Sequence, residues 1–90
     1  MTQQIVWLCE GVTKPADIDR LKSQVRDRGF YINGFIVSDA RHYEQSTVRI
    51  VVDYSDRSPL VPQYLANIET ALEHETGVRP VRQSQGNSES

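Results

Sequence analysis

The stretch FIVSDARHYEQSTVRIVVDY (Phe35–Tyr54) decides the fold. It holds two runs rich in β-branched and aromatic residues with no helix-length segment between them, so it reads as an antiparallel hairpin. The strands of that hairpin are expected over FYINGFIVS (30–38) and STVRIVVDY (46–54). The polar DARHYEQ (39–45) reads as a connecting loop too long for a tight turn.

Each side of the hairpin supplies a helix and a further strand. Upstream, QQIVWLCEG (3–11) is a continuous apolar run closed by glycine, which predicts a buried strand. The segment that follows begins a helix at Pro15, carries Asp17 and Asp19 in its first turns and meets Gly29 after Arg28. Proline suits a first helical position, acids complement the positive helix start, and glycine suits the stop. Ile18, Leu21 and Val25 give this helix one narrow apolar stripe. Downstream, Pro62 and Gly77 bracket a second helix whose expected buried face is Tyr64, Leu65, Ile68, Ala71 and Leu72. VRPVRQ (78–83) is long enough for a short last strand, and its Pro80 confines it to a sheet edge.

The order β-α-β-β-α-β predicts an α+β, ferredoxin-like sandwich, with a four-stranded antiparallel sheet and both helices on one face. The first and third strands belong at its centre, because IVWLC and VRIVV are the most continuously apolar runs in the chain. Ninety residues make one domain, expected over 1–82, followed by a polar tail at 83–90 expected to be disordered. So small a domain has a thin core and gains from a partner. The net charge of -2 gives no general attraction to phosphate backbones. The single Cys9 excludes an intrachain disulfide, and no run resembles a signal peptide or a membrane span, so a cytoplasmic protein without membrane contact is expected.

The layout resembles the small ligand-binding regulatory modules called ACT domains. The matching stretches are EGVTKPADI (10–18), RDRGFYINGFIVSD (26–39) and RIVVDY (49–54), with Ala16 where members of that family usually carry glycine. The resemblance implies a regulatory dimer that binds a small metabolite near Glu10, Gly11 and Lys14.

Strand alternation assigns the faces. Val48, Ile50 and Val52 meet the helices, while Thr47, Arg49, Val51 and Asp53 point away. A register pairing Ile36 with Val48 and Gly34 with Ile50 keeps Asn33 out of the core and sets Tyr31, Phe35 and Val37 on the open face. In the first strand either Val6 and Leu8 or Ile5, Trp7 and Cys9 face outward. The expected interaction surface is therefore Trp7, Tyr31, Phe35, Val37, Arg49 and Val51, an apolar patch too large to stay uncovered. Self-association through the sheet or docking of another protein would cover it. A single-stranded nucleic acid stacking on Trp7, Tyr31 and Phe35 is the less favoured alternative, because the chain is acidic and lacks an RNA-binding signature in its third strand.

No catalytic, cofactor or metal site is expected. Ser38, Asp39 and His42 sit close together in sequence, but in an expected loop that does not hold a triad in register. Cys9 has no visible activating cation. Glu73, His74 and Glu75 cannot share one helix face, which argues against a metal site. Glu69, Glu73 and Glu75 form an acidic patch near a helix end, where negative charge opposes the dipole. A solvated end or a basic partner explains it, as in small acidic inhibitors of nucleic-acid-handling machinery. The expected function is a non-enzymatic binding or regulatory protein acting on another protein, with such an inhibitor as one form of it and a homodimer expected. The alternatives are an ACT-like metabolite sensor and single-stranded nucleic-acid binding.

Overall fold

The computed structural model describes residues 2–83. The elements run β1 (Gln3–Glu10), α1 (Pro15–Gly29), β2 (Ile36–Glu44), β3 (Thr47–Tyr54), α2 (Val61–Thr76) and β4 (Val81–Gln83). All four strands join one antiparallel sheet in the order β2-β3-β1-β4, so the most apolar runs, β1 and β3, occupy its centre. The expected disordered tail at 83–90 lies outside the described residues except for Gln83, which belongs to β4.

β1 and β3 pair along their whole length, bringing Ile5 opposite Val52, Trp7 opposite Ile50 and Cys9 opposite Val48. These six side chains form one continuous core with Leu21 and Val25 of α1 and Leu65, Ile68 and Leu72 of α2. Both helices therefore cover the same sheet face. Helix α2 ends at Gly77, whose φ of 80° is the left-handed conformation glycine adopts at low cost, with its N–H donating to the Glu73 carbonyl at 2.7 Å.

The hairpin departs from expectation in both register and turn. DARHYEQ is not a loop: β2 runs through it to Glu44, and the turn is only Gln45–Ser46. Ile36 pairs with Asp53 and His42 with Val48, so the strand has slid by five to six residues relative to the expected pairing of Ile36 with Val48. The physical cause lies in the position of β2 at the sheet edge with one face in water, which tolerates Asp39 and Arg41 on that side. Register shifts at Ser38 and Tyr43 add residues out of phase and destroy the simple alternation that marks a strand in sequence. Val37, Ala40 and His42 still take the inner positions opposite Val52, Ile50 and Val48.

Residues Phe30–Phe35, expected as strand, form a turn closed by Ile32 N–H donating to Gly29 O (2.9 Å) and Phe35 N–H to Ile32 O (3.2 Å). The turn folds the Phe35 ring against the end of α1, into the space a side chain at Gly29 would fill.

Candidate interaction surface

The six residues expected to share the open face do not share a surface. Trp7 has no exposed area and lies beneath the helices. Phe35 and Val37 pack against the same core. Tyr31 is exposed but stacks on Tyr64 of α2, ring centroids 5.8 Å apart and planes at 22°. Only Arg49 and Val51 face away from the helices, and Val51 is 6% exposed beside Val6 at 0%. The large apolar patch that motivated association through the sheet is therefore not present on that face of the single chain.

Trp7 is held by a charge network that also accounts for the acidic patch. Its indole Nε1–H donates to Glu69 Oε2 at 2.7 Å. Arg82 of β4 donates to the same oxygen through Nε at 2.9 Å and lies 2.7 Å from it through Nη2. Arg79 approaches Glu69 at 3.7 Å and Glu73 at 2.9 Å. Glu75 accepts from Gln24 Nε2 at 3.3 Å and meets Arg20 at 3.9 Å. The three acids are thus each tied to a cation of this chain, and the patch is neither free charge nor bare solvation. Arg79 and Arg82 are the compensating residues, Arg79 just before the last strand and Arg82 within it, opposite Trp7.

Four of the seven exposed large apolar groups among the described residues, Phe30, Tyr31, Ile36 and Leu60, lie toward the other end of the helices. Phe30 is 82% exposed, Ile36 59% and Leu60 51%. Phe30 meets Tyr31 edge to face at 5.8 Å, Tyr31 stacks on Tyr64, and Leu60 lies one helical turn before Tyr64. Phe30 and Ile36 also rim an open groove of about 420 Å³ floored by Gly29, Ile32 and Phe35. Gly34 fixes this corner: its φ is 73°, and an added side chain would strike Ser55. Asn33 closes the corner to the β3–α2 connection, its N–H donating to Asp56 Oδ2 at 3.0 Å and its carbonyl accepting from Ser55 N–H at 3.1 Å. Phe30 and Ile36 escape a sequence reading that opens a strand at Phe30; the glycines at 29 and 34 are the available sign of a turn.

The reactive side chains are engaged structurally. Ser38 donates to Val51 O at 3.2 Å, Asp39 binds Arg41, and His42 lies on the opposite face of β2 from Asp39, opposite Val48. His42 Nε2 is 2.9 Å from the Val12 carbonyl, which only accepts, so this nitrogen carries the proton. Cys9 is fully buried, and burial pushes its thiol up to about 12. Of the residues implied by the ACT resemblance, Gly11 borders a narrow cleft of about 90 Å³ with Asp17, Arg20 and Glu75, while Glu10 and Lys14 do not line it. Val12 is pinned on both sides of its peptide to the hairpin, by Ser46 O and by His42. Among the described residues no three metal-ligating side chains converge, and no helix is long and apolar enough to cross a membrane.

Comparison with protein-family models, with curated proteins and with solved structures finds no match for this chain.

Proposed function

We propose that this is a non-enzymatic, ferredoxin-like binding domain that acts by docking onto another protein through the apolar end formed by Phe30, Tyr31, Ile36 and Leu60. The observation that carries the proposal is the exposure of these side chains at one end of the helices, with Phe30 and Ile36 on the rim of one groove and Tyr31 against Phe30 and Tyr64, while the acidic groups of α2 are paired within the chain. Burying a large apolar side chain stabilises a complex by about 1.5–3 kcal/mol, and a cluster of aromatic and aliphatic anchors around a groove is the usual form of an interface centre. The two central strands and the β-α-β-β-α-β order support the ferredoxin-like assignment. An inhibitor of a larger machinery fits such a surface, since occupying a partner's site requires shape and apolar area and no chemistry of its own.

Phe30→Asp and Ile36→Asp test this. Both side chains are exposed, so the variants keep the melting temperature of the wild type while losing the partner that affinity capture and mass spectrometry identify with the wild-type chain. Binding should weaken about tenfold or more for each variant. Sedimentation velocity separates the two occupants: a wild-type dimer that becomes monomeric in both variants assigns the surface to a second copy. Variants that bind the identified partner as tightly as the wild type would refute the proposal.

A further inference from the structure

The sheet face away from the helices carries a second feature, independent of the apolar end. Arg41 of β2 and Arg49 of β3 are register partners, so two guanidinium groups emerge side by side. Like charges directly opposite in a sheet destabilise it, and their side-chain origins are only about 5 Å apart. Asp39 relieves one of them, binding Arg41 through Nε at 3.0 Å and leaving its terminal amino groups unused by that contact. Arg49 has no carboxylate within ion-pair distance among the described residues, although it alone of the described arginines is half-buried rather than exposed. Its β1 partner is Leu8, and Glu10, the nearest acid on that strand, makes no ion pair with it. A half-buried cation beside a like charge is an arrangement that an added anion would relieve.

We propose that Arg41 and Arg49, with Tyr43 beside them, bind the phosphoryl group of a small phosphate ester. Asp39, Arg41, His42, Tyr43 and Arg49 line a cleft of about 400 Å³, within the size of small-molecule sites. Two guanidiniums on neighbouring strands present more donors than a carboxylate has oxygens, since one arginine can already satisfy a carboxylate in bidentate fashion. A tetrahedral anion with three terminal oxygens can engage both arginines at once. The Tyr43 ring, 57% exposed, supplies a flat apolar surface for the organic part of the ester and a phenol that donates to a remaining oxygen.

Titrations of the whole chain with inorganic phosphate, phenyl phosphate, acetate and a short single-stranded oligonucleotide, at one ionic strength, test this. The readout is the side-chain Nε–H resonances of Arg41 and Arg49 in nitrogen-15 spectra. Saturable shifts with both phosphates, stronger for phenyl phosphate and absent for acetate, are expected. Arg49→Met should weaken phenyl phosphate binding about tenfold or more and Arg49→Lys by less, because lysine loses the bidentate fork. Without ligand, Arg49→Met should melt no lower than the wild type, since it removes a like-charge contact. Arg41→Gln provides a second variant with the same expected loss of binding. Equal shifts with acetate, unchanged binding in Arg49→Met and Arg41→Gln, or an oligonucleotide binding tighter than phenyl phosphate would each overturn the proposal.

Discussion

Glu69→Ala is expected to be among the most damaging single changes on α2, although glutamate to alanine on a helix is ordinarily benign. The carboxylate is the acceptor for the Trp7 indole N–H at 2.7 Å, and Trp7 has no exposed area, so no water replaces it. Leaving a buried donor unsatisfied costs about 1–3 kcal/mol. The bonds from Arg82 add less, because its side chain is 47% exposed and solvent screens it; about 1 kcal/mol is the upper end for such a pair. The sum is about 2–4 kcal/mol, or at least about 10 °C in the melting temperature of a domain this size. Glu69→Gln keeps an acceptor for Trp7 and loses only the charge toward Arg82 and Arg79, so about 1 kcal/mol is expected. Urea unfolding followed by the fluorescence of Trp7, the single tryptophan, measures both. In a Trp7→Phe background, followed by circular dichroism, the cost of Glu69→Ala should shrink by about 1–2 kcal/mol. If Glu69→Ala costs less than about 0.5 kcal/mol, or the cycle shows no coupling, the network does not hold the helix to the sheet.

Three further outcomes follow from the same structure. Cys9 should resist thiol reagents until the chain unfolds, and because its folded pKa is raised from 9.0 to about 12, stability should be complete below pH 9 and decline between pH 9 and 12; Cys9→Ala should flatten that alkaline limb of a pH–stability curve. Asp56 accepts backbone N–H bonds from Asn33 and then Ser58, which hold its carboxyl below the usual 3.8. Its contribution is therefore present above that value and lost as pH falls through the lowered folded pKa, so Asp56→Asn should flatten the acid limb of the melting temperature. Gly34→Ala should destabilise by about 1–3 kcal/mol in urea titrations, since a φ of 73° is unfavourable for alanine and the new methyl meets Ser55; a loss as small as that of an exposed helical alanine substitution would show that the turn is not fixed.

The central strands and both helices were legible because burial on the helix-packed face leaves a continuous or periodic apolar trace. IVWLC, VRIVV and the Leu65–Ile68–Leu72 stripe each carry it, and Ile5, Trp7, Cys9, Val48, Ile50, Val52 and the stripe lie in the core. The edge strand was not legible. Asp39, Arg41 and Glu44 carry the polarity of a loop, and the two register shifts remove the period of two that would have identified β2. Once its start was placed at Phe30, the register followed wrongly, and with it every open-face assignment on that strand. Trp7 is ambiguous in sequence for a different reason: both faces of β1 are apolar, so alternation alone does not say which side holds the helices. What decides it is Glu69, since a buried indole N–H needs an acceptor and only the helix side offers one.

The same network changes what the acidic cluster can mean. Read as a line of residues, Glu69, Glu73 and Glu75 are like charges at the unfavourable end of a helix, and such a cost invites a basic partner. In three dimensions Arg79, just before β4, and Arg82, within it, meet two of them and Arg20 reaches the third, so the cost is offset within the fold. A basic partner would have to compete with cations already held in place, and surface ion pairs contribute too little to make that exchange favourable. The apolar end has no such internal competitor: Phe30 and Ile36 keep most of their area in water, and covering them gains free energy without first breaking a bond. Arg49 is the electrostatic counterpart of that situation, a cation whose neighbours on the sheet are a leucine and another arginine. Association driven from the Phe30 end should therefore vary little with salt, whereas anion binding at Arg49 should weaken steeply as ionic strength rises. Measuring both salt dependences on one sample distinguishes the two surfaces without any substitution.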